Sequence, residues 1–538
     1  MTPPPATYSE RITRWVFSVA LVLGAALLLA AGPAPQLLYP SDDVTYLDAC
    51  HRAAIGQWLG RDFSSPIGPA ALLPVVMAMK AAGTTVQALV LGSALSWLGF
   101  GTLAWGVARL RMPAWLAAGF ALFVSATAAA LYTLDFGRWN VLSYGILYNR
   151  LAWAALSIAA CAALLPRTDG SATRLLSAGL GAGAIWLWAI KPNYLLIFAP
   201  LILYHWLPGT GRAHRLLGIV LGALAMLGLL FLCVRFSPVG YVRTHLGIAR
   251  TAAQGGGAIY DLERSLRENL WPVAALVATW LAVLRVSGPG SHRSLAVVLA
   301  GLVVCTLAGN LANNQFSEIP LWGALGWLAA ACVTRMARVS TLARAALVGG
   351  LVCGLAFTWQ PLASIAYNYA WKSYRAPGHP PAAEITGSAW HGLPMRPMPG
   401  EPTGPAEALE IPANYAAWLN DGLALLARVQ PPQGAVLCLD WANPFPFATQ
   451  SVPPQGDEIA WHVGRTVGPD HHPEVARLLA DTAVVMEPFR SVQPGSLAFK
   501  RVLFAPALTA SFVMAGETAQ WRAWIRRGAS APAFPVGH

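Results

Sequence analysis

Charged residues are scarce in this sequence. Of its 538 residues only 11% are Asp, Glu, Lys or Arg, whereas 56% are hydrophobic; an ordinary soluble domain is about 25% charged. Within residues 1–361, no Asp or Glu interrupts a long apolar segment. Because proton- and ion-coupled transporters usually carry an ionisable group at membrane depth, this absence disfavours that class of protein.

Cysteines with metal-binding spacing are also missing. The seven cysteines are scattered, and no CxxC or mixed Cys/His pattern indicates a zinc site. Cys50 and Cys438 lie outside the apolar segments, and a disulfide between them is an alternative that the sequence leaves open. The net charge of +12 comes mostly from arginines at the ends of apolar segments. We expect no nucleic-acid partner, because basic clusters interleaved with aromatic residues are lacking.

Apolar segments that could cross a membrane dominate the first 361 residues. A span needs about 20 apolar residues. The stretch Lys191-Pro192-Asn193 predicts a hairpin between two of the segments, because proline breaks a helix and lysine is costly in lipid. We predict eleven spans, over residues 15–38, 85–108, 113–131, 149–165, 175–190, 193–208, 216–237, 270–286, 294–309, 319–337 and 343–361.

The distribution of Arg and Lys predicts the orientation. With a cytoplasmic N-terminus, every short cytoplasmic turn is basic, as the positive-inside rule requires. An odd number of spans then places the C-terminal region outside. The Arg- and Ala-rich composition favours a bacterial inner membrane protein whose outer side is the periplasm. A cleaved signal peptide is the alternative for the first segment; it is disfavoured because the apolar run extends to Leu38.

Three regions follow from composition. Residues 1–375 form a transmembrane module, 376–412 a linker rich in Pro and Gly, and 413–538 a small α/β domain outside the membrane. In the last region "GAVLCLDW" predicts a buried strand, "PEVARLLADTAVVMEP" a helix and then a strand, and "ETAQWRAWIRR" a terminal helix.

Acidic residues collect in the predicted outer loops. Asp42 and Asp43 directly follow the first span, and Asp135 lies in the second outer loop. Apolar spacing in the first outer loop predicts two helices that lie at the membrane interface, over about 43–59 and 69–82. Two such helices would roof a cavity, with Asp42 at its mouth.

The segment Tyr39–Pro69 resembles a known family. The pattern Asp42-Asp43-x-x-Tyr46, the sequence "RDFSSPIGP" and the later acid Asp135 are similar to those of C-type (GT-C) integral membrane glycosyltransferases. Protein O-mannosyltransferases, lipid A aminoarabinose transferase and oligosaccharyltransferases belong to this family. The resemblance implies a similar number of spans, interfacial helices in the first outer loop and, in many members, a soluble C-terminal domain.

The resemblance also implies a reaction. A sugar would move from a polyprenyl-phosphate donor to a lipid or cell-envelope glycan on the periplasmic side. Asp42 would be the general base, Asp43 would bind the acceptor or orient Asp42, and Asp135 would recognise acceptor or sugar. The choice of Asp42 over Asp43 rests on the family pattern alone. Tyr46 and Trp139 are candidate contacts to acceptor or sugar. No cofactor is expected, although a divalent metal at the three aspartates stays open.

Basic residues on the predicted outer side depart from the positive-inside trend. Since arginine can bind a phosphate with two hydrogen bonds, we expect the leaving phosphate at Arg138, Lys191 and Arg243, with Arg150 and His245 as further candidates. The alternative for each is that the side chain reaches toward lipid headgroups.

Other functions stay open. A flippase or transporter of a lipid-linked sugar would need ionisable residues at mid-span, and a non-enzymatic assembly protein would tolerate change at Asp42. Among enzymes, an O-antigen ligase or polymerase with a diphosphate donor is the alternative. The glycine-rich stretch 252–261 is interpreted as a lid over the donor, or simply as a mobile loop.

Overall fold

A computed structural model describes residues 7–34, 40–130, 143–165, 171–206, 211–254, 262–287, 292–312, 319–335, 340–373, 383–395, 408–409, 411–429 and 433–528. Helices fill the N-terminal two thirds, and a small mixed sheet lies in the C-terminal part. This division matches the polytopic helical module followed by a small α/β region that the sequence predicts.

Helices α1 to α14 follow one another between residues 8 and 373. The first seven are α1 Tyr8–Ala31, α2 Pro40–Ala54, α3 Pro69–Ala82, α4 Gln87–Arg109, α5 Ala114–Ala129, α6 Leu147–Leu164 and α7 Ser171–Ile190. The next seven are α8 Tyr194–Trp206, α9 Arg212–Val234, α10 Pro238–Gln254, α11 Leu262–Ser287, α12 His292–Ala312, α13 Leu321–Val333 and α14 Thr341–Ser373. A short 3-10 turn, Tyr144–Ile146, precedes α6.

Each of the eleven predicted spans coincides with one of these helices. By length and composition, seven helices in the described chain could cross a membrane, and α5, α8, α12 and α13 are shorter apolar helices. The number of spans and the orientation of the termini therefore stay predictions. One boundary differs from the expectation: α11 begins at Leu262, so Glu268 lies on a helix where the sequence predicted a loop.

The predicted hairpin between two of these helices is confirmed. Helix α7 ends at Ile190 and α8 begins at Tyr194, whose backbone N–H donates to the Lys191 carbonyl at 3.1 Å. The hairpin also contacts the first predicted outer loop, because the Gly68 N–H donates to the Ile190 carbonyl at 3.0 Å. A Cβ at Gly68 would lie 2.0 Å from the Ala189 oxygen, so only glycine allows this contact.

The helix bundle has a dense interior and an apolar exterior. Helix α13 is buried along nearly all its length, whereas large apolar side chains on α9 and α14 are exposed, with Leu232 76% and Trp359 66% accessible. An exposed apolar surface of this extent is typical of a face that contacts lipid. Helices α7 and α9 approach closely through small residues, since a Cβ at Gly222 would lie 1.8 Å from the Ala178 oxygen.

The C-terminal part contains a four-stranded sheet. Its strands are β2 Ala435–Cys438, β4 Thr482–Pro488, β5 Phe512–Glu517 and β6 Trp521–Arg526, in the order β2-β4-β6-β5. Strands β2 and β4 are parallel, and the other two pairs are antiparallel. The helices of this part are α15 Pro412–Val429, α16 Phe445–Thr449, α17 Val475–Ala480 and α18 Pro494–Ser511.

The prediction of a terminal helix at "ETAQWRAWIRR" is wrong. The segment forms the turn and second strand of the β5–β6 hairpin. The Thr518 hydroxyl closes the turn by accepting the N–H of Trp521 at 3.0 Å. Trp521 and Ala523 are fully buried and lie two residues apart, which is the period of a strand. The other predicted elements of this region, strand β2 and the helix–strand pair α17–β4, are confirmed.

Part of the predicted linker packs against the rest of the protein. Ala383 and Met395 form an antiparallel bridge, and Trp390 between them is 1% exposed. The Val86 N–H donates to the Ala389 carbonyl at 2.9 Å. The division at 376 and 412 stays a prediction, because much of that stretch lies outside the described residues.

A second, two-stranded sheet joins distant parts of the chain. Strand β1, Phe63–Ser64, belongs to the first predicted outer loop, and β3, Asp457–Glu458, belongs to the C-terminal part. The two strands pair in parallel. The C-terminal part is therefore attached to the first predicted outer loop, at the segment between α2 and α3.

Candidate active site

Helix α2 places Asp42 and Asp43 in its first turn. The helix covers Pro40–Ala54, whereas the sequence predicted about 43–59. It stops early because Gly56 adopts a left-handed conformation, with φ +99°. The aspartates thus lie within the first turn, where the helix dipole favours negative charge. Helix α3 has the bounds that the sequence predicted.

Helix α2 does not have the exposed face that the prediction of an amphipathic helix requires. Thirteen of its fifteen residues are buried. The C-terminal part covers the helix: His51 Nε2 lies 3.0 Å from the Ser451 carbonyl oxygen, and Arg52 Nη1 donates to the Pro454 carbonyl at 2.7 Å. The roof over the aspartates therefore includes residues from the opposite end of the sequence.

Asp43 is held in place by the turn that precedes α6. Its Oδ1 accepts hydrogen bonds from the Ser143 hydroxyl at 2.8 Å and from the Gly145 N–H at 2.9 Å. The side chain is fully buried. Burial raises the pKa of Asp43 to about 8; the two hydrogen bonds act in the opposite direction, and the neighbouring Asp42 adds to the rise. The burial of Asp43 therefore favours its neutral form.

Asp42 is half-buried, unlike Asp43. Burial raises the pKa of Asp42 to about 6, and the positive charge of Arg465 opposes the rise. Its backbone packs against Gly145, where an added Cβ would lie 2.9 Å from the Asp42 carbonyl oxygen. The pKa of Asp42 is thus raised less than that of Asp43, so Asp42 is the more readily ionised of the two adjacent acids.

Tyr46 is a packing residue in this structure. It is 1% exposed, and its hydroxyl donates to the Ala71 carbonyl at 2.8 Å. The hydrogen bond ties α2 to α3 and leaves the ring no accessible face. The expectation that Tyr46 contacts acceptor or sugar is therefore not supported by its position.

Three of the predicted phosphate-binding residues lie at one end of the bundle. Lys191 Nζ is 5.6 Å from the centroid of the Tyr148 ring, and its charge lowers the pKa of His245. Arg150 lies two residues after Tyr148 in the first turn of α6. The turn that holds Asp43 directly precedes this helix, so the Asp42–Asp43 pair and these basic residues share one region.

The surroundings of His245 disfavour its cationic form. Burial lowers its pKa, and Lys191 lowers it further. Its Nδ1 lies 3.0 Å from the Tyr241 carbonyl oxygen. A positive contribution from His245 to phosphate binding is therefore disfavoured.

Arg243 faces another part of the protein. It lines a cavity with residues of the C-terminal part and lies on α10, exposed to solvent. Asp135, Arg138 and Trp139 fall outside the described residues, as does most of the predicted lid 252–261; residues 252–254 end α10. Within the described ranges no three His, Cys, Asp or Glu side chains are placed to hold a metal, and the metal hypothesis also needs Asp135.

A buried charge network that the sequence analysis missed joins α2 to the C-terminal part. Arg52 Nε donates to Asp48 Oδ2 at 2.8 Å, and its Nη2 donates to Asp457 Oδ2 at 3.0 Å. All three side chains are at most 2% exposed. The spacing of Asp48 and Arg52, four residues apart on one helix, was a signal for the first pair. Cys50 and Cys438 are free thiols.

Among the comparisons with known proteins, the comparison with solved structures gives matches. No protein-family profile and no curated protein sequence matches the chain. Among solved structures, the chain is similar to crystal structures of ArnT from Cupriavidus metallidurans, bound to undecaprenyl phosphate and in the apo state. Both are 14% identical to the chain, with TM-scores of 0.47 and 0.46. The alignments cover 97% and 96% of this chain and 99% and 98% of the ArnT chain.

Proposed function

We propose that this protein is a membrane glycosyltransferase of the C type, which transfers a sugar from a polyprenyl-phosphate donor to a lipid or cell-envelope glycan on the periplasmic face. The observation that carries the proposal is the pair Asp42 and Asp43. One carboxylate is partly accessible and has raised basicity, and the adjacent acid is hydrogen-bonded and favours its neutral form. The pair lies at one end of an apolar helix bundle, as suits a lipid-linked substrate.

Asp42 is the general base of the proposed reaction. An acceptor hydroxyl or amine attacks C1 of the sugar, and its proton passes to the Asp42 carboxylate. The bond between C1 and the phosphate oxygen breaks, and polyprenyl phosphate leaves with the electron pair. A base is most effective when its pKa lies near the working pH. A pKa of about 6 leaves Asp42 ionised at pH 7 and more basic than an ordinary aspartate.

Asp43 is a positioning residue in this proposal. Its hydrogen bonds to Ser143 and Gly145 fix the first turn of α2 against the turn before α6. Because its burial favours the neutral form, it does not place a second full negative charge beside Asp42. This arrangement favours Asp42 as the base, a choice that the sequence alone left to the family pattern.

Lys191 and Arg150 are the proposed partners of the leaving phosphate. Both are half-buried and lie near the end of the bundle that carries Asp42. A positive charge in a partly apolar site stabilises the phosphate oxygen as negative charge develops on it. Arg138, in the same predicted outer loop as Arg150, stays a candidate from the sequence.

The transporter alternative gains no support from the helices. The spans that the structure describes carry no Asp or Glu at their centres; Glu268, near the start of α11, is an end position. Transport of an ion-coupled substrate usually needs such a central group. An enzymatic site at the end of the bundle fits the position of the acids better.

Donor turnover tests the proposal. Wild-type protein and the variants Asp42→Asn and Asp43→Asn are purified in detergent and incubated with polyprenyl-phosphate sugars and a membrane extract, and released polyprenyl phosphate is measured. We expect release by the wild type, a loss of about 10²–10⁴-fold in Asp42→Asn and a much smaller loss in Asp43→Asn. Equal release by Asp42→Asn would remove Asp42 from the chemistry. Movement of the intact lipid-linked sugar across vesicles without release would favour the flippase.

A further inference from the structure

Helix α10, Pro238–Gln254, connects two helices that are long and apolar enough to cross a membrane, α9 and α11. It is a separate helix and not a continuation of α9, because Arg235 ends α9 in a left-handed conformation with φ +54°. The first predicted outer loop fixes this turn: the Leu59 N–H donates to the Arg235 carbonyl at 3.1 Å, and the Ser237 N–H donates to the Leu59 carbonyl at 2.8 Å. Helix α10 therefore begins at the end of the bundle that carries Asp42.

One face of α10 packs against other parts of the protein. The Tyr241 hydroxyl donates to the Trp188 carbonyl of α7 at 3.1 Å. Two turns further along, an added Cβ at Gly247 would overlap the His471 ring of the C-terminal part. Thr251, one turn later on the same side, is buried. This inner face therefore joins α10 to the helix bundle and to the C-terminal part.

The opposite face of α10 is apolar and exposed. Val239, Val242 and Leu246 are 71%, 43% and 54% exposed, and Ala249 and Ala253 are exposed as well. Their spacing of three and four residues places all five along one side of the helix, and we call them the apolar stripe of α10. A helix with one packed face and one exposed apolar face is typical of the boundary between lipid and water.

Exposed apolar side chains also lie on both neighbouring helices, close to α10 in the chain. Leu232, in the last turn of α9, is 76% exposed, and Trp271, near the start of α11, is 79% exposed. Tryptophan side chains that are exposed near the end of a span are typical of the level of the lipid headgroups. The apolar stripe therefore continues a surface that suits lipid on both sides.

The charge of α10 is positive. The helix contains no Asp or Glu. Arg243 and Arg250 each lie one turn after a residue of the apolar stripe, Val239 and Leu246, so both arginines lie along one flank of the stripe. Both are exposed, and neither makes a hydrogen bond or an ion pair with a residue that the structure describes. An arginine in this position can lay its aliphatic stem among acyl chains and keep its guanidinium at the level of the phosphates.

We propose that α10 docks on the surface of an anionic bilayer, with its apolar stripe among the acyl chains and Arg243 and Arg250 on the phosphate groups of anionic phospholipids. Guanidinium groups bind phosphates through charge-assisted hydrogen bonds, and an anionic leaflet attracts basic residues that lie close to it. Because the inner face of α10 contacts His471, the docked helix also positions the C-terminal part relative to the membrane. The docking does not depend on the reaction proposed above.

Hydrogen–deuterium exchange of the full-length protein in lipid nanodiscs tests the docking. Discs of phosphatidylcholine alone are compared with discs of an equimolar mixture of phosphatidylcholine and phosphatidylglycerol. We expect the backbone amides of α10 to exchange about thirtyfold more slowly in the anionic discs, because each arginine at an anionic surface contributes about fivefold. The double variant Arg243→Gln/Arg250→Gln should exchange at the same rate in both kinds of disc.

The matched control is Arg428→Gln/Arg527→Gln, which removes the same charge from two exposed arginines of the C-terminal part. This variant should keep the full difference between the two kinds of disc. Equal exchange of wild-type α10 in both kinds of disc, or an undiminished difference in Arg243→Gln/Arg250→Gln, would overturn the proposal. Slow exchange of α10 that appears only when two copies share a disc would assign the apolar stripe to a second copy and would also overturn it.

The same measurement tests the link to the C-terminal part. Residues 462–473 contact α10 through His471 and through Gly468, where an added Cβ would lie 3.2 Å from Thr251 Cγ2. We expect these residues to exchange more slowly in the anionic discs, together with α10. A response of α10 that leaves the exchange of residues 462–473 unchanged would contradict the positioning of the C-terminal part by the docked helix.

Discussion

At the scale of single residues, Asp42 and Asp43 show how neighbours in sequence can have different roles. Asp43 turns toward Ser143 and Gly145 and is fully buried, whereas Asp42 keeps an accessible side. The sequence predicted that an acid pair matters here but not how the two differ. The difference depends on a turn about a hundred residues away, which no local pattern reveals.

Gly145 offers a test of this arrangement. A Cβ at this position would lie 2.9 Å from both Cβ and the carbonyl oxygen of Asp42. Gly145→Ala should therefore displace the first turn of α2 and lower kcat by about 100-fold, since a misplacement near 1 Å costs that much. The measurement is kcat for polyprenyl phosphate release.

Gly99→Ala is the control for that substitution, because an added Cβ at Gly99 of α4 meets nothing within 4 Å. We expect wild-type turnover from Gly99→Ala. A Gly145→Ala protein that folds and keeps wild-type kcat would show that the contact between Gly145 and Asp42 does not set the geometry of the site.

At the scale of elements, the sequence predicted the helices better than their surroundings. Apolar length located the eleven helices that coincide with the predicted spans and the hairpin at Lys191, because the cost of polar groups in lipid is a local property of the chain. It did not predict that α2 is buried beneath residues 451–457 of the C-terminal part. It failed at β6, where buried Trp521 and Ala523 follow the alternation of a strand.

The attachment of α2 to β3 depends on Arg52. Arg52→Met would leave Asp48 and Asp457 buried without their counter-charge, which should lower the free energy of unfolding by about 3–5 kcal/mol. Thermal unfolding in detergent measures this as a lower Tm. Arg61→Met should cost at most about 1 kcal/mol, since Arg61 pairs with Asp62 at the surface with 57% of its side chain exposed.

A compensating variant makes the test of Arg52 specific. Asp48→Asn, Arg52→Met and Asp457→Asn together remove all three charges, and this triple variant should regain much of the lost stability. If Arg52→Met unfolds at the same temperature as Arg61→Met, the buried network does not hold the C-terminal part in place.

Glu458 predicts a pH dependence of stability. Its pKa is about 8 in the folded protein and near 4.5 when unfolded. Below pH 4.5 both states hold the proton. Between pH 4.5 and about 8 the folded state still holds the proton, whereas the unfolded state has released it. The free energy of unfolding therefore falls as the pH rises through this range. Glu458→Gln has no proton to lose. Its Tm relative to the wild type should therefore be higher at pH 8 than at pH 5.

The control for this measurement is Glu474→Gln, because Glu474 is exposed and lines the same cavity as Glu458. The Tm of Glu474→Gln should follow the wild type at both pH values. A constant difference in Tm between Glu458→Gln and the wild type across this range would contradict the view that Glu458 is a buried neutral acid.

At the scale of the whole molecule, the C-terminal part completes the site. It covers α2, contributes Arg465 near Asp42 and closes the cavity at Arg243. The sequence predicted a small α/β region outside the membrane but gave no indication of its contacts, because pairing between Phe63–Ser64 and Asp457–Glu458 joins segments almost four hundred residues apart. Glu458 and Arg465 were missed for the same reason.

The single-turnover rate of sugar transfer as a function of pH, in wild type and Asp42→Asn, tests the central proposal directly. If Asp42 takes the proton of the acceptor, the wild-type rate rises with pH around a midpoint near 6, as Asp42 ionises. Asp42→Asn should then bind the donor normally, react about 10²–10⁴-fold more slowly and lose this pH dependence. A rate in Asp42→Asn that matches the wild type, or that keeps the same midpoint, would contradict the assignment of Asp42 as the base.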